Sequence, residues 1–135
     1  MSIINKITCS LLITSTLAFA HGDAAPQKVD TQGLPEIGYD VYTNPFSGNE
    51  KAIEVGKTAY NQNCARCHGL EGKSGGIAPD LRLLTDGDDE YFAGMVRAGV
   101  VRNDNVYMPP FPDDIIPNSA LWAIYSYLET LPEED

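Results

Sequence analysis

The chain has 135 residues, with 9 Lys and Arg against 19 Asp and Glu for a formal net charge of −10. That length makes one domain with a modest core, and the acidity argues against nucleic acid, whose phosphates need a basic face. It favours solubility and fast, salt-sensitive association with a partner that carries a basic patch.

The first 20 residues read as a secretory signal peptide. Lys6 gives the positive start, Ile7 to Phe19 an uncharged and almost wholly apolar run, and Ala18-Phe19-Ala20 the small-x-small end, so cleavage is expected before His21. The run is too short for a membrane span of roughly 20 apolar residues, so no stable membrane insertion is expected. Lys6-Ile7-Thr8 is a poor approach to a lipid-anchored Cys9. Removal of this segment carries off Lys6 and one of the 3 cysteines, which leaves Cys64 and Cys67 in a more acidic periplasmic protein. Residues 21–48 are rich in Pro, Gly, Asp and Asn and lack periodicity, which predicts an irregular extension, loosest at its start. The folded domain is expected over residues 49–135.

Three helices are expected in an all-α fold. The first starts at Asn49 as N-cap with Glu50 in the first turn. It presents Ile53, Gly56 and Tyr60 on one face and runs into Cys64. The second starts near Thr85 or Asp86, carries Tyr91, Phe92, Met95 and Val96, and stops at Gly99. The third lies between Pro117 and Pro132, capped by Asn118 or Ser119, with Leu121, Ile124, Tyr125 and Leu128 as its apolar stripe. No segment alternates as a strand of useful length. Residues 69–84 and 100–117 are then long loops, too much for a bare polypeptide core. A large apolar cofactor at the centre would give them something to wrap.

Cys64-Ala65-Arg66-Cys67-His68 is C-x-x-C-H, the attachment pattern of c-type haem. Two thiols separated by two residues can each add to one vinyl group, and the next imidazole falls beneath the iron. A thioredoxin-type dithiol would want a βαβ context that is missing. Zinc would want four ligands, and only two Cys and two His remain, one of them the terminal His21. A plain disulfide would leave His68 accidental. For a sixth ligand the thioethers available are Met95 and Met108. Met108 lies in Val106-Tyr107-Met108-Pro109-Pro110-Phe111, stiffened by two prolines, whereas Met95 shares a helix face with Tyr91 and Phe92 and is expected in the core. Trp122, Tyr125 and Tyr127 are also expected in the core. Asp86, Asp88 and Asp89 fit a helix start better than a calcium loop, and His21 without a second histidine is a poor copper site.

From Asn49 to Leu131 the sequence resembles class I cytochromes c. Gly56, Tyr60, Cys64, Cys67 and His68 match that family's first-helix pattern, and Ile124, Tyr127 and Leu128 match its last helix. The resemblance implies a tight crossing of those helices, with Gly56 permitting close backbone approach and Tyr60 on Tyr127. It also implies one covalent haem c on Cys64 and Cys67, His68 and Met108 as iron ligands, and the Pro79 carbonyl as the acceptor that orients His68. Arg82, Arg97 and Arg102 become candidates to neutralise haem propionates, beside an equal case for solvated charges. His21-Gly22-Asp23, Asn61 to Leu70, Ser74 to Leu84 and Ala120 to Ile124 are similar to the cytochrome c-550 branch that accepts electrons from periplasmic pyrroloquinoline-quinone alcohol dehydrogenases. That implies a one-electron carrier rather than an enzyme, with a quinoprotein alcohol dehydrogenase as donor and a further cytochrome or terminal oxidase as acceptor. Docking is then expected on the loops flanking Cys64 and Met108, away from Glu129, Glu133 and Glu134. The rival readings are a haem subunit of another periplasmic oxidoreductase complex and a five-coordinate enzyme or gas sensor.

Overall fold

The computed structural model describes residues 25–84 and 87–132. The expected signal peptide, His21, Thr85, Asp86, Glu133 and Glu134 lie outside the described residues. The elements in chain order are α1 (Glu50–Asn63), α2 (Ala65–His68), α3 (Asp89–Ala98), β1 (Val100–Arg102), β2 (Asn105–Met108) and α4 (Asn118–Leu128), with single 3-10 turns at Leu70–Gly72 and Leu81–Leu83.

Helix α1 begins as expected: the Asn49 side chain accepts from the Ala52 amide at 3.0 Å, with Glu50 in the positive first turn. Its buried face is Ala52, Val55, Gly56, Ala59 and Tyr60; Ile53 is only partly covered. The small residues set that face because α1 lies directly on α4. A Cβ on Gly56 would run into the carbonyl group of Ala123 and the amide of Ile124. One turn on, the Tyr60 and Tyr127 rings meet with centroids 5.5 Å apart, so the crossing is glycine against backbone, flanked by an aromatic pair.

Helix α4 differs from the single stripe expected of it. Every residue from Ser119 to Leu128 is buried, because three neighbours surround the helix. Helix α1 covers one side, and α3 reaches it through Phe92 on Tyr125, centroids 4.9 Å apart. The extension closes the third side: Val29, Leu34 and Phe46 are in the core. Buried Asn44 donates from Nδ2 to Ser126 Oγ (2.9 Å) and Glu129 Oε2 (3.1 Å), and its amide donates to Asp89 Oδ1 (2.6 Å). The extension, irregular as expected, is thus packed against the helices. Nor does Asn118 or Ser119 cap α4. Pro117 holds that position, and the Asp113 carboxylate accepts from the Asn118 amide at 3.0 Å instead.

Residues 100–108, expected as loop, form an antiparallel hairpin, β1 with β2, in which Val101 faces Val106 and Arg102 faces Asn105. Its two-residue turn, Asn103-Asp104, has both φ angles positive (49° and 62°), the mirror-image turn that suits strand twist and that Asn and Asp tolerate better than most residues. The strands hold only 3 and 4 residues, below what alternation reveals. Upstream, α3 stops at Gly99 (φ 66°), whose Cβ position would lie 2.5 Å from Met108 O and 2.7 Å from Pro110 N. A side chain there would push the hairpin off the helix.

The α1–α4 crossing makes a sharp prediction. In a free helix Gly→Ala gains about 1 kcal/mol; in this one, Gly56→Ala forces a methyl group into a backbone and should cost about 1–3 kcal/mol or more. Chemical denaturation should show a lowered midpoint with the slope unchanged. A neutral or stabilised variant would mean that the helices are not in backbone contact.

Candidate cofactor site

Helix α1 delivers the site. Its last turn ends with the Cys64 amide donating to Tyr60 O (2.8 Å), and a single further turn comes next, with His68 N on Cys64 O (3.0 Å) and Gly69 N on Ala65 O (2.9 Å). The turn is steadied by Tyr60, whose hydroxyl donates to Gly69 O at 2.7 Å. Burial first, and the Cys64 sulfur next to it, hold that hydroxyl protonated well above the usual phenol range. Cys64, Cys67 and His68 therefore share one wall of a cavity of about 430 Å³.

The His68 ring is oriented by the segment 74–84. Its Nδ1 lies 2.8 Å from Pro79 O, so the proton sits on Nδ1 and Nε2 is the nitrogen left with a free lone pair. Asp80 holds that carbonyl in place. Its carboxylate accepts from Arg82 Nε (3.0 Å), Arg82 Nη2 (2.7 Å), the Arg82 amide (3.0 Å) and the Ser74 amide (3.3 Å). Ser74 Oγ in turn donates to Ala78 O. The Arg82 guanidinium, first among these partners, holds the Asp80 carboxyl well below the usual carboxylate range.

The hairpin also brings Met108 to the cavity, with Tyr107 and Pro109, and α3 contributes Tyr91, Phe92, Met95 and Val96. Both thioethers thus reach the same space. Met95 is half-buried and stands apart from the core cluster, whereas Met108 packs against it, so the expectation of Met95 as a core residue gives way to a place on the cavity wall. Helix α3 serves both: Phe92 and Val96 belong to the core and also line the cavity, whereas Met95 lines the cavity without being buried in the core. The three aromatics expected in the core are there: Trp122, Tyr125 and Tyr127 are all buried. A second, more open cavity of about 410 Å³, between the extension and α3, has Tyr39, Tyr42 and Trp122 in its lining and no sulfur or imidazole.

The arginines do not meet as a cluster. Arg82 is engaged with Asp80, and Arg102 lies 6.0 Å from the Tyr107 ring centroid on the hairpin. Arg97 points away from the cavity into the segment 111–118, where it donates to Phe111 O (2.7 Å), Ile116 O (2.8 Å), Asn118 Oδ1 (2.5 Å) and Asp113 Oδ1 (3.3 Å). A solvated charge does not describe it, nor does a partner for a cavity-bound carboxylate. Sequence reading missed this hub because its acceptors are two backbone carbonyls and two side chains that only the fold gathers.

The chemistry of the cavity is selective. Both cysteines are free, and burial first, then the nearby Cys67, pushes the Cys64 thiol up to about 12. A dithiol exchange site needs the opposite shift. Among the described residues no three His, Cys, Asp or Glu side chains converge to hold a metal ion, so zinc lacks its ligand set. Leu83, Tyr91 and Tyr107 line the cavity yet remain 69, 62 and 64% exposed. A flat apolar group with two points for thioether bonds and a metal needing nitrogen and sulfur donors matches this wall set. Haem c therefore fits the residues present.

Comparison with known proteins agrees. Residues 51–128 match the family described as cytochrome c oxidase, cbb3-type, subunit III. The chain is 54% identical over 127 residues to cytochrome c550 of Pseudomonas aeruginosa, covering 89% of this chain and 87% of that protein. It is 37% identical over 83 residues to quinohemoprotein alcohol dehydrogenase ADH-IIG of Pseudomonas putida, covering 62% of this chain and 11% of the enzyme. The solved structure of the P. putida ADHIIG enzyme superposes with a TM-score of 0.50 and 35% identity over 70% of this chain and 13% of that one. The chain belongs to the cytochrome c family. It has the class I fold, carries covalent haem c, and is a c-type cytochrome of electron transport.

Asp80 sets a pH dependence for the His68 wall. Because its folded pKa is depressed, its contribution to stability is complete above the unfolded carboxyl value of about 4 and fades as pH falls through the folded value. Asp80→Asn should therefore be less stable than the parent near neutral pH, and the gap should close as the solution is acidified below about pH 4. Thermal melts across that range read it directly; a gap independent of pH would dismiss the Arg82 clamp.

Proposed function

We propose that this cytochrome c is a periplasmic one-electron carrier, with haem joined to Cys64 and Cys67, iron held between His68 and Met108, and a quinoprotein alcohol dehydrogenase as electron donor. The observation that supports the reading is the convergence, in the lining of one apolar cavity, of two free thiols, an oriented imidazole and a proline-flanked thioether. Met1–Ala20 serves as the export signal. Among the described residues no helix is long and apolar enough to cross a membrane.

Haem iron bound there supplies a ferric/ferrous couple, and thioether ligation favours the ferrous form. The chain's own residues do the rest. Pro79 O accepts from Nδ1 of His68, fixing the ring plane and raising the basicity of Nε2. Pro109 and Pro110 limit how far Met108 can swing, which matters because a thioether is a weak ligand for ferric iron. Phe92, Val96, Leu81 and Phe111 exclude water, so the extra positive charge of the oxidised form is poorly solvated and reduction is favoured. His68 and Met108 as two protein donors would leave the iron no position for a substrate. That disfavours the enzyme and gas-sensor readings.

The donor is inferred from kinship. In the ADH-IIG enzyme the region similar to this chain is about a tenth of the polypeptide, so domains of this kind occur joined to an alcohol-oxidising unit. A separate chain of the same kind can serve a dehydrogenase that has no such region. The acceptor is then a further cytochrome or a terminal oxidase.

Exchange of the two thioethers tests the ligand assignment. Met108→Ala should abolish the weak sulfur-to-iron absorption at the red edge of the ferric spectrum and lower the potential, while Met95→Ala should retain the band. The reverse pattern would exchange their roles. Stopped-flow reduction by a purified quinoprotein alcohol dehydrogenase tests the donor. The second-order rate should fall as salt shortens the screening length from about 10 Å at 0.1 M to about 3 Å at 1 M, and an absence of reduction at any salt would reject the pairing.

A further inference from the structure

Between Met108 and the rest of the chain lies a segment that cannot hold itself. Pro109 and Pro110 have no amide hydrogen to donate, so Phe111 is the first residue after Met108 able to anchor the loop by its backbone amide. Both of its backbone groups are used, and both go to the last turn of α3. Its amide donates to Val96 O at 2.9 Å, and its carbonyl accepts from Arg97 Nη1 at 2.7 Å. The same guanidinium holds Ile116 O, Asn118 Oδ1 and Asp113 Oδ1, so residues 111–118 are gathered on one charged group. Asn118 passes the tie onward, Nδ2 to Ile37 O at 3.2 Å. On the other flank, Met108 pairs with Val100 and its carbonyl lies against Gly99. The strand therefore fixes one end of the methionine loop, and Arg97 fixes the other.

We propose that Arg97 is the positioning residue of the distal ligand: by clamping Phe111 and the segment behind it to α3, it keeps the Met108 thioether seated. This rests on the reading that Met108 is the sixth ligand. A lysine could keep the charge, but a single ammonium cannot span four acceptors that the planar guanidinium fork reaches at once. Arg97 does this from outside the cavity, so its effect is on how often the loop opens. When a competing ligand needs the open form, its apparent affinity scales with the open fraction.

The measurement is imidazole binding to the ferric holoprotein, followed by loss of the red-edge sulfur band, beside the far-UV melting temperature of each variant. Arg97→Gln should raise the apparent imidazole affinity about tenfold or more, since several charge-assisted bonds are lost. Arg97→Lys should recover part of that, and Asp113→Ala, which removes one loop-side partner, should give a smaller rise. Asn44→Ala, which cuts the extension from Ser126 and Glu129 and removes no partner of Arg97, should lower the melting temperature and leave imidazole affinity at the parent value. If Arg97→Gln and Asp113→Ala bind imidazole as the parent does, or if Asn44→Ala raises affinity in proportion to its loss of stability, Arg97 is a general fold contact and the proposal fails. Should Arg97→Gln not accumulate as holoprotein, Arg97→Lys and Asp113→Ala decide it by the same criterion. A wild-type protein without the red-edge band, and unchanged by Met108→Ala, would instead remove the ligand assignment and this proposal with it.

Discussion

The cavity depends on one backbone-to-backbone crossing, α1 over α4 at Gly56. Helices separated by ordinary side chains stand about 8–10 Å apart; a glycine against a peptide group brings them closer and fixes their angle, because nothing flexible lies between. The direction of α1 at Asn63 decides where the next five residues go. Those five are Cys64 to His68. The crossing also frames the Tyr60–Tyr127 pair, and Tyr60 in turn ties down Gly69 at the far end of the cysteine-histidine turn. A contact between two helix backbones thus sets the position of an imidazole ring more than two turns away.

Around that rigid centre the two halves of the cavity are held by the same device. Each has a proline-containing segment whose missing amide hydrogens weaken its own hydrogen bonding, and each is braced by an arginine. Arg82 acts through Asp80 on the Pro79 segment, and Arg97 acts directly on Phe111 and on residues 113–118 behind it. Prolines narrow the conformations of the unfolded segment, and the guanidinium fork then selects one of the few that remain. Such bracing suits residues that must present a single carbonyl or a single thioether while the surrounding apolar wall gives no directional hold.

The extension completes the fold in a way that ordinary core counting would miss. By burying Val29, Leu34 and Phe46 and lodging Asn44 between α3 and α4, it frees α4 from having a solvent face. The long segments are left to enclose the cavity.

Much of this was legible in the sequence. C-x-x-C-H, the glycine and tyrosine preceding it, the Asn49 cap and the methionine before two prolines are local signals, each set by a spacing or by a residue with restricted chemistry. The sequence determined the cofactor class and the helical frame. Its resemblance to class I cytochromes c also implied a tight α1–α4 crossing. What the tertiary structure alone decided were relations among residues distant in the chain. Met95 lies on the cavity wall rather than in the core, because α3 gives side chains to both, Phe92 and Val96 among them; helical spacing shows that a face is apolar without saying what it faces. Residues 100–108 form a hairpin because two residues accept positive φ against strands too short to alternate visibly. Arg97 gathers acceptors up to 21 residues away, two of them backbone carbonyls that have no side-chain signature. A backbone carbonyl looks the same at every position of a sequence, and only folding gives it an address.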